Sequence, residues 1–129
     1  MDKTIAIVTG ASGGLGREFV KLLSKEKKLS EIWVVARNAQ KLQQLAEEFG
    51  TKIRPIAKDL SDNVQRQELS AMIAEERAAI QYLINNAGYA KFCSYDDLSV
   101  EESINMINLN IGAVVALGLY CIPYMKPGS

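Results

Sequence analysis

The sequence predicts an α/β fold, a parallel sheet doubly wound by helices, and three observations carry that expectation. Short apolar, β-branched runs alternate four times with segments whose apolar residues recur at helical spacing. A glycine-rich turn, TGASGGLG (9–16), joins the first run to the first helix. The one proline inside a strand run, Pro55, falls in the third run. Proline cannot donate to a strand ladder and is confined largely to sheet edges, and the order 3-2-1-4 places strand three at an edge.

Thr4–Thr9 (TIAIVT) forms the first strand, and Leu15, Phe19, Leu22 and Leu23 then fall on one helical face. Glu31–Ala36 (EIWVVA) is the second strand, followed by Asn38 as a helix cap, by Leu42, Leu45 and Phe49 on one face, and by Gly50 as the stop. Residues 52–57 (KIRPIA) alternate as a third strand, and Ser61 or Asp62 caps a helix carrying Val64, Leu69, Met72 and Ile73. A fourth strand begins at residues 82–84 and breaks at NNAG (85–88). Ser99 and Glu102 make an S-x-x-E capping box, opening a helix that runs to about Pro123. Its residues 111–122 are apolar nearly all round, too short a run for a membrane span and suited to burial on two sides. No linker or low-complexity stretch interrupts the chain, so residues 1–129 are expected to be one domain.

Composition narrows the functional classes. The chain has 129 residues, 48% of them hydrophobic, and its 15 basic residues balance 15 acidic ones. That balance gives no field for a nucleic-acid or membrane-surface partner. Histidine is absent, which removes His-based metal sites and every Ser-His or Cys-His nucleophile. The two cysteines, Cys93 and Cys121, lack C-x-x-C spacing, and no basic-then-apolar leader opens the chain, so a reduced cytoplasmic protein is expected.

The glycines ask for a ligand. After a first strand, a turn without side chains lets backbone N–H groups approach a pyrophosphate at a helix N-terminus, the arrangement of a Rossmann-type unit. The spacing here is Thr9-Gly10-x-x-x-Gly14-x-Gly16 rather than G-x-G-x-x-G, and it meets the same physical need.

TGASGGLG (9–16), KDLSD (58–62), NNAG (85–88) and NLNIGAVVALGLYCIPYM (108–125) together resemble the short-chain dehydrogenase/reductase family, in the family's order and across essentially the whole chain. The resemblance implies a Rossmann-type sheet of order 3-2-1-4, truncated before the later strands. It implies that Gly10, Ser12, Gly14, Leu15 and Gly16 face the cofactor phosphates. Asp59, with Leu60 beside it, would hold the adenine, and Asn86, Ala87 and Gly88 would line a ribose. Read without the resemblance, Asp59 is equally a helix cap or a solvated charge. Asn110 matches the family's catalytic asparagine, which bends its helix and holds a water of a proton relay, with Asn108 as second candidate. On the residues alone, Asn110 stands out as a poor helix former on an apolar helix face, where a buried amide needs partners.

Cofactor choice rests on charge. Twenty residues past Gly16, where an NAD-selective unit places an acid, stands Ala36, followed by Arg37. A guanidinium there can clamp a 2′-phosphate, so NADP(H) is favoured over NAD, with Arg37 as a merely solvated charge the other reading. The family's second basic position, before Gly14, is Gly13 here. The family's proton donor is a tyrosine with a lysine four residues on. Tyr82, Tyr89, Tyr95, Tyr120 and Tyr124 are followed at that distance by Asn86, Cys93, Ser99, Tyr124 and Gly128. The expectation is therefore the cofactor half of an oxidoreductase acting on a small carbonyl or alcohol, inactive by itself. A non-catalytic nucleotide-binding module and a ligand-free flavodoxin-like interaction domain are the alternatives. The apolar last helix and the open fourth strand predict a homo-oligomer.

Overall fold

A computed structural model describes residues 3–129. Strands β1 (Thr4–Thr9), β2 (Glu31–Ala36), β3 (Ile53–Ala57) and β4 (Ala79–Ile84) pair in parallel in the order β3-β2-β1-β4. Helices α1 (Gly14–Leu23), α2 (Ala39–Phe49) and α3 (Asn63–Glu76) are the crossovers. This is the doubly wound order expected, with Pro55 on the edge strand, and it differs from the flavodoxin-like order 2-1-3.

The period-two alternation of β1 divides the core. Ile5 and Ile7 face one side with Trp33, Val35, Leu69 and Ile73, while Ala6 and Val8 face the other with Val20, Leu23, Leu42 and Leu45. Both faces of the sheet are covered, which is why its strands read as continuous apolar runs. In register, Val8 lies opposite both Val34 and Ile84, and Val35 opposite Ile56, so the carboxyl ends of the strands open on one side. That alignment gathers the loops that matter.

Two local expectations are corrected and one alternative is resolved. β4 begins at Ala79, before residue 82, because the register steps from Ile5 opposite Ile80 to Ala6 opposite Tyr82. Gln81 is the extra residue, and it breaks the alternation that would mark the strand in sequence. Asp62, not Ser61, caps α3, its side chain accepting from the Gln65 N–H. Ser99 caps its helix through the Glu102 N–H at 3.0 Å, while the Glu102 carboxylate pairs with Lys91 rather than closing the box.

The last helix is continuous over Val100–Tyr124. It comprises α4 (Val100–Ile107), a wider π turn (Asn108–Gly112), α5 (Ala113–Cys121) and a final tight turn (Ile122–Tyr124). By length and composition alone it could cross a membrane, being longer than its apolar stretch suggested. Ala113, Leu117 and Cys121 nevertheless enter the core beside α3. The expected burial on two sides is not met: Val115, Leu119 and Ile122 remain exposed, because the sheet offers this helix a single face. Burial pushes the Cys121 thiol up to about 12, which makes it a core residue and not a nucleophile.

At the opposite end of the strands, Lys3 bridges Glu31 at 2.7 Å and Glu76 at 2.6 Å. Arg54 reaches Glu76 at 3.0 Å and stacks 4.5 Å over Trp33, whose indole N–H donates to Glu31. Partial burial pushes the Glu31 carboxyl up, but the bonds from Lys3 and Trp33 outweigh it and hold the group below its ordinary value of 4.5. Glu76 is lowered by the bonds from Lys3 and Arg54. Both folded values lie below the unfolded ones, so this stabilisation is complete above about pH 4.5 and is lost as pH falls through the lowered folded values. Urea unfolding followed by Trp33 fluorescence should therefore show a midpoint that falls below about pH 4.5, and Glu31→Gln should flatten that dependence. A midpoint constant down to about pH 3 would contradict the role given to the cluster.

Candidate functional site

The carboxyl ends of the strands border a cleft of about 800 Å³, within the size range of small-molecule sites. Gly10, Ser12 and Leu15 line it after β1, with Arg37, Asp59 and Leu60 to one side after β2 and β3 and Asn86, Ala87 and Gly88 to the other side after β4. Gly14 and Gly16, expected at the phosphates, do not line it.

Hydrogen bonds lace the glycine loop to the end of β4. The hydroxyl of Thr9 accepts from the N–H groups of Asn86 (3.0 Å) and Ala87 (2.9 Å), and the Asn86 amide donates to the Gly10 carbonyl at 3.1 Å. Gly16 owes its identity to this knot. A Cβ there would stand 2.1 Å from the Gly10 carbonyl oxygen, so α1 could not seat against β1 with any other residue. Close helix–strand approach by itself requires glycine here. By contrast, a Cβ at Gly13 would meet nothing within 4 Å, so that glycine keeps the space over the loop open.

The far wall is tied down from α3. The Asp59 carboxylate accepts from the N–H (3.0 Å) and hydroxyl (2.7 Å) of Ser61 through one oxygen, Oδ1, and the Asp59 N–H donates to the Gln65 side chain at 2.7 Å. Asp59 is thus not the helix cap, and its second oxygen stays available to a donor on a ligand. Around it stand cations. Arg37, Lys41 and Lys58 all line the cleft, and among the described residues neither Arg37 nor Lys41 is paired with a carboxylate.

Lys41, Lys58 and Thr9 are site residues that the sequence reading passed over. Lys41 carried a signal: Asn38 caps α2, so Lys41 is a cation in the first turn, where the helix dipole disfavours it. Lys58 follows an edge strand, and its N–H donates to the Ala36 carbonyl at 3.0 Å, which sets it beside the departure of Arg37. Only the pairing of β2 with β3 reveals that neighbourhood.

Asn110 sits in the π turn, where the helical ladder widens. It is exposed rather than buried and does not line the cleft. Its amide is nevertheless held at both ends, accepting from the Tyr89 N–H at 2.9 Å and donating to the Tyr89 carbonyl at 2.8 Å. Gly88 permits the approach, since a Cβ there would lie 2.9 Å from the Asn110 oxygen. The Tyr89 hydroxyl in turn accepts from the Asn105 amide at 3.0 Å, so Tyr89 and Asn105 close the cleft beside Leu109. Asn108 opens the wider turn.

The arrangement offers backbone donors and open space at the glycine loop and three cations on the β3 side, which suits an elongated ligand carrying phosphate at its middle and again toward one end. Comparison with known proteins agrees. The family model described as short chain dehydrogenase matches residues 4–129. An oxidoreductase of Staphylococcus epidermidis is 27% identical over 129 residues, which cover all of this chain and 55% of that protein. A short-chain dehydrogenase from Sphingobium yanoikuyae in complex with NADPH superposes with a TM-score of 0.83 at 26% identity, over 94% of this chain and 47% of its own. A metagenomic short-chain oxidoreductase in complex with NADP gives 0.84 at 25% identity, over 94% and 56%. Sequence match and fold therefore converge: the chain belongs to the short-chain dehydrogenase family and spans about half the length of the relatives it matches.

Proposed function

We propose that this chain is the cofactor-holding part of an oxidoreductase that interconverts a small ketone and its secondary alcohol, and that it takes NADP(H) in preference to NAD(H). The observation that carries the reading is the far wall, where Arg37, Lys41 and Lys58 gather and Ala36 stands at the position of an NAD-selecting acid. Relatives of the same fold that hold NADPH and NADP support it.

When bound, the nicotinamide cofactor supplies or accepts the hydride. The residues of this chain do the rest of the holding. The N–H groups of the Gly10–Ser12–Leu15 wall receive the pyrophosphate, the free Asp59 oxygen accepts from the adenine amino group, and the cations neutralise the 2′-phosphate. Asn110 fixes Tyr89 and with it the cleft edge next to NNAG. No tyrosine of the chain has a lysine four residues on, so in this reading none of its tyrosines forms the family's proton-donor pair. In this reading the exposed stripe of α5 and the open edge of β4 meet a second copy or the remainder of the enzyme.

Titration by cofactor fluorescence tests the cofactor assignment. NADPH should bind roughly tenfold or more tightly than NADH, the worth of one or two charge-assisted contacts. Equal affinities, or tighter NADH binding, would overturn it.

A further inference from the structure

Lys58 differs from the other two cations of the cleft. Its ammonium is held by Glu68 of α3 at 2.5 Å, and the Glu68 side chain is 51% exposed, whereas Arg37 and Lys41 have no carboxylate partner among the described residues. Glu68 does not line the cleft, although Lys58 does. We propose that Lys58 is a swinging cation: it rests on Glu68 while the cleft is empty and moves to the 2′-phosphate when NADPH binds, so that Glu68 sets cofactor preference by competing for it. The proposal rests on the NADP(H) reading given above.

The exchange needs a side-chain movement and no backbone change. The Lys58 N–H bond to Ala36 fixes the base of the side chain next to Arg37, so only the flexible stem has to turn. A lysine is suited to this, being a point charge on four rotatable bonds rather than a planar fork. The Glu68 side of the pair is open to water, although the Lys58 side chain is 22% exposed, and an ion pair in contact with solvent contributes little, so little is lost on leaving it. A phosphomonoester carries close to two charges and three acceptor oxygens, and attracts the ammonium more strongly than one carboxylate does. The abandoned Glu68 stays in water. A dinucleotide without the 2′-phosphate gives Lys58 nothing to move to, so the pair stays closed.

Calorimetric titration of the 129-residue chain and three variants tests this. Lys58→Gln should weaken NADPH about tenfold and leave NADH within about twofold. Glu68→Gln should strengthen NADPH about threefold, again without effect on NADH, and should lose that effect in the Lys58→Gln background. Glu68 is exposed and Lys58 half-buried, and circular dichroism verifies the fold of each variant. The proposal is overturned if Lys58→Gln leaves NADPH affinity unchanged, if it weakens both cofactors equally, or if Glu68→Gln acts equally with and without Lys58, which would mark a general field effect. Arg37→Gln separates the two levels of the argument. Loss of preference there, but not in Lys58→Gln, keeps the NADP(H) reading and removes the role of Lys58. A wild-type chain with no preference removes both.

Discussion

Valine at position 13 should weaken NADPH and NADH together by roughly a hundredfold, with the circular dichroism spectrum unchanged. Gly13 has φ −174° and ψ −178°, an extended conformation open to any residue, and it makes no side-chain cap bond that could be lost. Its Cβ direction is empty, and the residue lines the cleft. The new side chain therefore fills space meant for the ligand, and overlap of that kind costs about 1–3 kcal/mol or more, which is about ten- to hundredfold in affinity. Gly14, the more obvious choice from the motif, is a poorer test. Its φ is +56°, where a β-branched residue is strained, so lost binding there would be confounded with a disturbed α1. Undiminished binding in Gly13→Val would mean that the loop does not approach the phosphates.

The second large effect is expected from Ala36→Asp. Ala36 ends β2 and lines the cleft between the loop and Lys58. A carboxylate there faces the 2′-phosphate and can accept from a ribose hydroxyl, so it repels one cofactor and holds the other. NADPH should weaken by about a hundredfold, while NADH binds as well as before or better. A variant that still prefers NADPH would show that the adenosine end lies elsewhere in the cleft.

The features legible in sequence were those set by local chemistry. β1 and β2 stood out as unbroken apolar runs because both of their faces are buried, and Asn38, Asp62 and Ser99 marked helix starts because a short polar side chain satisfies an N–H there. Pro55 located an edge. What escaped depends on partners distant along the chain. The bulge at Gln81 exists only in the pairing of β4 with β1, and Lys58 becomes a neighbour of Arg37 only through the Ala36 bond. Asn110 is legible as an amide needing partners on an apolar helix face, but it lies at the surface rather than buried, and its partner is the backbone of Tyr89. The glycine motif was legible as a whole and not residue by residue. Gly16 is a packing requirement, and Gly13, which looked like a missing basic residue, guards the open space.

Amide chemical-shift mapping of the 129-residue chain with NADP+ tests the central claim, that this cleft holds a 2′-phosphorylated dinucleotide, most directly. The expected shifts fall on Gly10–Leu15, on Arg37 to Lys41, on Lys58 to Ser61 and on Asn86 to Tyr89, the segments that supply most of the cleft's lining. Lys3, Glu31 and Arg54, at the other end of the sheet, should not move. With NAD+ the shifts at Arg37, Lys41 and Lys58 should shrink while those of the glycine loop persist. Shifts centred on the Lys3 cluster or on α5, or none at millimolar cofactor, would contradict the claim.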